Sequence, residues 1–304
     1  MIIKNILVFF SIALAGNALA DQIEFDGYSY FVIGKESLNY QENPISQGVS
    51  TDTSINNIAI RTGGLYPIND IMDFSIDTST TLLPATAFET WSVNSDSSGD
   101  ALRAFLPYPN RPVQQNDFRL STSSFQALAH YKHRDQFRSV YGVNFSLDSF
   151  KRFNWTTSQG GSVVLTEGAV EEDTSILNAV IGLDYESDGL ARHGNRWQMR
   201  VLYLKPVWRN TLNTSNPKNT FTSTSGFGIS IQGAYNFRIY KGIEVGIFSS
   251  YAYRYEDSEI QGNIELPKNT FSNLFTGVQL SWKLGRYETL KVTEPSMQTL
   301  TVDQ

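Results

Sequence analysis

Apolar and polar residues alternate with a period of two along most of this chain. In residues 274–284, for example, Leu280 and Trp282 share one parity and Gln279 lies on the other. Successive side chains of a β-strand point to opposite faces, so this pattern predicts an all-β protein whose strands each have one apolar face. Ten segments alternate in this way, at residues 28–42, 55–66, 72–82, 118–131, 137–148, 177–186, 196–207, 227–238, 243–256 and 274–284.

The predicted strands are long, and the connections between them alternate in length. Most segments run to about eleven to fourteen residues, whereas strands of soluble sandwiches usually have five or six. Long connections at 84–116, 154–173 and 257–272 are separated by tight turns such as 67–70. Outer-membrane barrels have short periplasmic turns and long external loops. The sequence therefore predicts a transmembrane, up-and-down antiparallel β-barrel of about ten strands rather than a soluble sandwich.

Three features interrupt the regular pattern. Gly34 is followed by Lys35 and Glu36, which put a charge on both faces of the first segment and predict a β-bulge there. The apolar residues of the fourth segment change parity near Ser123. The long connection 84–116 has room for a further hairpin, which would make the barrel twelve-stranded.

The last segment also carries a recognisable motif. Gly277, Leu280 and Trp282 resemble the C-terminal strand signal of Gram-negative outer-membrane barrels, which runs polar-x-Gly-x-x-apolar-x-aromatic. Phe275 stands where that signal has a polar residue. The resemblance is to a broad class, the Gram-negative outer-membrane β-barrel proteins. It implies that the barrel-assembly machinery recognises this strand.

The two ends of the chain differ from the barrel pattern. Residues 1–20 combine Lys4, an apolar run too short to span a membrane as a helix, and the small-x-small ending Ala18-Leu19-Ala20. We therefore predict a signal peptide cleaved near Ala20, a periplasmic lead at 21–27, the barrel at 28–285 and a periplasmic tail at 286–304. The predicted location is the cell outer membrane of a Gram-negative bacterium.

Composition narrows the function further. The 304 residues include no cysteine, so disulfides do not stabilise the chain, and its formal charge of −6 gives no electrostatic case for nucleic acid. The predicted lumen nevertheless carries charges of both signs, which we expect to pair with one another because an unpaired buried charge is costly. These residues are Arg61, Asp73, Asp77, Arg138, Asp148, Asp184, Glu186, Arg196, Arg200, Glu244, Arg254, Glu256 and Lys283.

Histidine placement argues against an enzyme. Ten-stranded outer-membrane proteases and lipid-modifying barrels use an imidazole near the outer rim or in the lipid-facing wall. Here His130 falls at the periplasmic end of the fourth segment, and His133 and His193 fall in periplasmic turns. Spacing places no carboxylate or nucleophile beside His130, so we expect a polar lumen residue rather than a base. No cofactor or metal motif is present in the sequence.

The long external connection supplies the remaining candidates. Its aromatic residues Phe88, Trp91, Phe105 and Tyr108 can bind a partner or pack over the barrel mouth. We predict a non-enzymatic barrel with a structural or surface-interaction role through its external loops. A narrow porin-like pore for small polar solutes is the alternative, and an outer-membrane hydrolase is a third hypothesis. The predicted partners are outer-membrane lipid, lipopolysaccharide and the assembly machinery, and the external ligand is left open.

Overall fold

The protein is an antiparallel barrel built almost entirely from strands. The computed structural model describes residues 24–43, 49–93, 112–134, 136–159, 162–187, 195–214, 217, 220–240, 242–262 and 264–286. No helix long and apolar enough to cross a membrane occurs in these ranges. Ten strands close the ring: β1 (Glu24–Asn43), β2 (Val49–Asn69), β3 (Met72–Leu83), β5 (Pro112–Arg134), β6 (Phe137–Gln159), β7 (Ser162–Glu186), β8 (Arg196–Asn213), β10 (Gly226–Tyr240), β11 (Ile243–Glu256) and β14 (Lys268–Arg286).

Four short strands lie outside this ring or extend it. β4 (Ala87–Val93) pairs with β2 on one side and β5 on the other, and so continues the line of β3 after a break at residues 84–86. β9 (Thr220–Phe221) pairs with β8, and β12 (Glu259–Gln261) forms a small hairpin with β13 (Ile264–Leu266). The prediction of about ten strands is confirmed. The twelve-stranded alternative is wrong for the part of the chain described, because β4 prolongs an existing strand.

The ring closes where β1 pairs with β14. Their register is continuous from Gly27, opposite Leu284, to Asn43, opposite Lys268. The predicted bulge at Gly34 is wrong, since the register of β1 passes that point without a shift on either side. Lys35 is exposed and Glu36 is buried, so the two charges simply occupy opposite faces of a regular strand. Every backbone group of a closed ring can pair within the protein, as a membrane demands.

The outward faces of the strands form a lipid-facing band with a clear upper limit. Ile33, Ile58, Phe125 and Leu147 are all more than 40% exposed, as apolar residues in contact with lipid must be. The next outward residue along each of these strands is polar. We call everything beyond this limit the outer extension. The limit is marked by Lys35, Asn56, Ser123 and Ser149.

Below this limit, aromatic residues mark the periplasmic rim. Tyr131, Phe137, Trp197 and Phe237 are exposed on the outer surface near the tight turns. Trp and Tyr favour this level because their rings are apolar and their tips are polar. They fix the lower edge of the band.

The outer extension explains the apparent change of parity in the fourth predicted strand. The register of β5 with β6 runs from Phe118 to Tyr131 without interruption. Within the membrane the apolar residues of β5, such as Phe125, face outward to lipid. Above the membrane Phe118 and Leu120 face inward, because water is outside and the protein needs a core. The strand keeps its phase while its apolar face changes sides.

The extension also shows that several predicted loops were wrong. β6 and β7 continue through most of residues 154–173 as one long hairpin, with Thr156 opposite Leu165. Likewise β4 and the start of β5 occupy both ends of the connection predicted at 84–116, and β14 begins inside the one predicted at 257–272. The strands therefore rise well beyond the band, and the external connections are shorter than the sequence indicated.

Candidate functional site

The periplasmic end of the lumen is lined by a continuous chain of ion pairs. It begins at Lys283 on β14 and ends at Lys132 on β5. Its six N–O distances lie between 2.7 and 3.1 Å. The order along the chain is Lys283, Glu244, Arg196, Glu186, Arg138, Asp73 and Lys132. Seven strands contribute one charge each, so this chain runs along the inner wall and links strands that are neighbours or have one strand between them.

Arg196 is the third member of that chain and connects Glu244 to Glu186. Its guanidinium donates to Glu186 at 3.0 Å and to Glu244 at 2.8 Å, and it lies 4.1 Å above the ring of Tyr28. The side chain is only 2% exposed. A guanidinium between two carboxylates and an aromatic face satisfies most of its donors, which is the condition for burying such a charge.

A second polar level lies directly above. Arg200 bridges Asp77 at 3.0 Å and Asp184 at 3.4 Å. Arg61 lies 3.8 Å from Asp77 and donates to the Tyr30 hydroxyl at 3.2 Å. Tyr30 in turn donates to Asp77. The structure thus brings the inward-facing charges of β2, β3, β7 and β8 into contact, with opposite signs adjacent.

His130 has the neighbours that the sequence did not reveal. Its Nε2 lies 2.8 Å from the Ser75 hydroxyl and its Nδ1 lies 3.1 Å from the Asp184 carboxylate. These are the contacts of a serine–histidine–aspartate triad. Spacing along the sequence did not reveal that Ser75 and Asp184 accompany His130. The signal was hidden because the three residues lie on β5, β3 and β7, far apart along the chain.

The residues of this triad-like arrangement are buried. His130 is fully buried and Ser75 is 2% exposed. The adjoining cavity, lined by Ser75, Asp184 and Arg200, has a volume of about 30 Å³, which holds one or two water molecules. His133 instead lies in an exposed position, with its Nε2 2.5 Å from the Ser139 hydroxyl, and His193 lies outside the described residues.

The middle of the lumen contains a carboxylate held by neutral donors. Glu36 is 3% exposed and accepts hydrogen bonds from Thr81, Thr122, Asn57 and Asn273, at 2.8 to 3.3 Å. Four strands besides its own reach it. Sequence reasoning used this residue only as evidence for a bulge, so its role as a hub of hydrogen bonds was missed.

Above Glu36 the lumen is filled by an apolar cluster and further ion pairs. The rings of Tyr40, Phe118 and Phe150 pack against one another, with centroids 4.8 to 6.0 Å apart. Arg254 pairs with Asp148 at 2.6 Å and with Glu256 at 2.9 Å. The cluster consists of Leu38, Tyr40, Ile55, Phe118, Leu120, Phe150 and Phe271. The lumen is thus occupied by side chains at its lower, middle and upper levels.

A separate group of charges, which we call the outer cluster, lies in the outer extension. Arg152 contacts Glu42 at 2.5 Å and Glu89 at 2.8 Å. Glu89 is fully buried and also accepts a hydrogen bond from Asn116 at 2.7 Å. The guanidinium lies over three rings, at 5.3 to 5.9 Å from their centroids: Tyr40, Trp91 and Phe118.

The outer cluster has more carboxylates than cations. Burial raises the pKa of Glu42 to about 7, an effect that Arg152 opposes and that Glu172 and Glu89 strengthen. Burial also raises the pKa of Glu172 above its ordinary value. Arg152 thus contacts two carboxylates while a third, Glu172, lies close enough to act on Glu42 electrostatically, and the site can take up a proton near neutral pH.

The four aromatic residues predicted for the external loop have different positions. Phe88 lies on the outer surface and is 63% exposed. Trp91 contacts Arg152 in the outer cluster. Phe105 and Tyr108 lie outside the described residues. Within the described residues, no group of three or more metal-binding side chains is arranged to hold an ion.

Comparison with known proteins identifies the fold. No family model and no curated protein matches the sequence. The outer membrane protease OmpT from Escherichia coli is similar in structure, with a TM-score of 0.58 at 10% identity over 87% of this chain and 99% of that one.

More distant similarities extend to other proteins of the same kind. The translocator domain of the autotransporter NalP from Neisseria meningitidis has a TM-score of 0.38 at 12% identity, covering 92% of this chain and 94% of that one. For the attachment invasion locus protein Ail of Yersinia pestis the TM-score is 0.30 at 11% identity, with 84% and 99% covered. This chain therefore has the closed antiparallel β-barrel fold of Gram-negative outer-membrane proteins such as OmpT.

Proposed function

We propose that this protein is a closed, non-enzymatic barrel that acts at the cell surface through its outer extension. The observation that carries the proposal is the occupied lumen. The ion-pair chain through Arg196, the second level around Asp77 and the apolar cluster around Phe118 are stacked along it. Narrow barrels have interiors that side chains can fill, and solute channels occur in wider ones. A lumen filled by side chains supports a barrel that presents binding surfaces rather than one that conducts solutes.

The outer surface of the extension supports an interaction role. The outward residues above the band on β1 and β2 are hydrogen-bonding side chains, among them Asn39, Gln41, Asp52 and Asn56. A depression of about 460 Å³ on this surface is lined by the side chains of Gln41, Asn43, Ser50, Thr51, Asp52, Thr90 and Ser92. Amides and hydroxyls in a concave, exposed wall suit a polar partner.

Conductance distinguishes this proposal from a pore. The full-length protein, reconstituted in a planar bilayer, should produce no steady current. Single-channel steps that change in Arg200→Ala or Asp77→Ala would overturn the proposal in favour of a narrow pore, because these residues line the second level of the lumen.

Turnover distinguishes it from a hydrolase. Fluorogenic peptides and short-chain esters should not be cleaved by the refolded protein. Cleavage that is lost in both Ser75→Ala and His130→Gln would assign catalysis to the triad-like contacts instead.

Surface adhesion tests the positive half of the proposal. Cells that display the protein should bind to at least one of three coatings, namely mucin, collagen or lipopolysaccharide, more than cells that display Phe88→Ser or Asn43→Ala variants. Equal binding by all of these cells on every coating would contradict the interaction role.

Processing and partners belong to the same proposal. We infer cleavage near Ala20, and N-terminal sequencing of the membrane-extracted protein should begin at Asp21. We further infer that the lipid-facing band contacts lipopolysaccharide acyl chains and that the barrel-assembly machinery inserts the chain. A mature protein that retains residues 1–20 would contradict the first inference.

A further inference from the structure

At the outer end of the barrel, β4 is less completely paired than the strands around it. A break at residues 84–86 separates β4 from β3, and β4 meets β2 only at residues 49–51. On its other side β4 pairs with β5 from Ala87 to Ser92, and side chains add to this attachment. Glu89 on β4 binds Arg152 of β6 and Asn116 of β5, and Trp91 packs against the same guanidinium.

The charges around this attachment are unbalanced. Glu42 of β1 and Glu89 compete for Arg152, whose N–O distances to them are 2.5 and 2.8 Å. Glu172 of β7 adds a third carboxylate to the group. With Glu42 protonated, Arg152 is left to Glu89, with Glu172 nearby; with Glu42 ionised, the buried group carries one more negative charge.

The other strands around the group contribute few charges that could offset the excess of carboxylates. The ionisable groups that face it from β1, β8 and β11 are Tyr40, Arg209 and Glu256, of which Arg209 pairs with Glu256 at 2.6 Å. The strands β2, β5 and β14 contribute the neutral residues Thr51, Asn116 and Asn269. Arg209 is therefore already engaged, and no second cation contacts Glu42 among the described residues.

We propose that Glu42, Glu89 and Arg152 form a pH-sensitive latch that holds β4 against the outer extension and loosens it as the pH rises. Opening separates the strands and exposes Glu42 to water, where the excess negative charge is relieved.

The direction of the effect follows from proton linkage. Glu42 has a pKa of about 7 when the latch is closed and an ordinary value of 4.5 when exposed. Between these values the closed form holds a proton that the open form releases. The opening constant should therefore rise with pH by up to about tenfold per unit, and it should level off above pH 7. A raised pKa means that the closed form is most stable below the lower value.

Hydrogen exchange measures this opening directly. The full-length protein, refolded in detergent micelles, is examined by mass spectrometry from pH 5 to pH 8, with rates corrected for intrinsic exchange. Protection of residues 87–93 should fall by up to about tenfold per pH unit as far as pH 7 and then remain constant. The Glu42→Gln variant should stay protected throughout, because its side chain cannot ionise.

A matched control separates the latch from general surface charge. Asp52→Asn removes an exposed carboxylate that contacts Gln41 at 3.0 Å on the outer face. This variant should keep the wild-type profile. The latch would be overturned if protection of residues 87–93 in the wild type did not depend on pH, or if opening in Glu42→Gln rose with pH as in the wild type.

A second variant keeps the test decisive if Glu42→Gln does not refold. Glu89→Gln leaves Arg152 to Glu42 alone. Glu42 should then ionise more readily, and the rise in opening should end at a lower pH than in the wild type. A profile that ends at the same pH in both proteins would contradict the competition between the two carboxylates.

Discussion

At the scale of single residues, the lumen is stabilised by buried charges whose partners matter more than their number. Arg196→Ala would leave Glu186 and Glu244 buried with one cation fewer between them. Breaking a buried pair in this way costs roughly 3–5 kcal/mol, because an uncompensated charge remains. The urea midpoint of the refolded protein, followed by tryptophan fluorescence, should fall accordingly.

An exposed pair provides the control for that substitution. Lys151 and Glu171 contact one another at 2.5 Å, but their side chains are 43% and 47% exposed. Lys151→Ala should therefore change stability by only about 0–1 kcal/mol. Equal losses for Arg196→Ala and Lys151→Ala would show that burial does not determine the strength of these pairs.

The sequence indicated which charges face inward but not which of them meet. Parity along one strand places Arg196 in the lumen, because its neighbours Trp197 and Met199 lie on the lipid side. Its contact with Glu244 depends on how the strands are staggered around the ring, and the sequence of a single strand does not reveal that stagger. The same reason hid Ser75 and Asp184 from His130.

At the scale of elements, the seam between the first and last strands depends on two glycines. Gly34 lies directly opposite Gly277. A Cβ on Gly34 would lie 2.6 Å from the Gly277 Cα, and a Cβ on Gly277 would overlap the Ile33 carbonyl. The two backbones therefore approach too closely for side chains. This gives a physical reason for the glycine of the predicted assembly motif.

Gly277→Ala should consequently slow or weaken barrel closure. The measurement is the fraction of protein that acquires its folded gel mobility after dilution from urea into detergent. Gly233→Ala is the matched control, because the nearest atom to a Cβ there is 3.8 Å away. Gly277→Ala folding as completely as Gly233→Ala would show that the seam tolerates a methyl group.

Trp282 and the end of the closing strand support a related prediction. Trp282 pairs with Ser29 and Ile243 on the two neighbouring strands and lies on the outward face. Trp282→Asp places a charge near the membrane interface and removes an aromatic anchor, which should cost on the order of a few kcal/mol. A chain stopped after Arg286, where β14 ends, should still insert.

Membrane insertion of the two proteins, measured by carbonate extraction, checks that prediction. Residues 287–304, the remainder of the predicted tail, lie outside the described residues. If the shortened chain failed to insert while Trp282→Asp inserted normally, the closing strand would have to lie in that tail. Normal insertion of both would show that the anchor is dispensable.

The elements within the membrane were easier to predict than those above it. In the band, lipid outside and polar groups inside give each strand a simple alternation, as in residues 274–284. Above the band, water lies outside and the core lies inside, so the apolar parity reverses at Phe118 and disappears in the polar stretches. For that reason the outer part of the β6–β7 hairpin has the sequence pattern of a loop.

At the scale of the whole molecule, closure makes the barrel a single cooperative unit. Every strand of the ring pairs with two neighbours, and β1 pairs with β14 across nearly the whole length of the chain. Detergent cannot open such a ring from an edge, because no edge strand is exposed. The ion pairs of Arg196 with Glu244 and of Arg138 with Asp73 add ties between strands that are not hydrogen-bonded to each other.

Heat modifiability therefore tests the closed fold as a whole. Samples kept at room temperature in sodium dodecyl sulfate should retain the barrel and migrate differently from boiled samples, which are unfolded. Arg196→Ala should lower the temperature at which the two forms interconvert, because the ion-pair chain is broken between Glu244 and Glu186. Lys151→Ala should leave that temperature nearly unchanged. Identical migration before and after boiling, together with extraction by carbonate, would contradict a membrane-spanning ring, since a closed barrel resists both treatments.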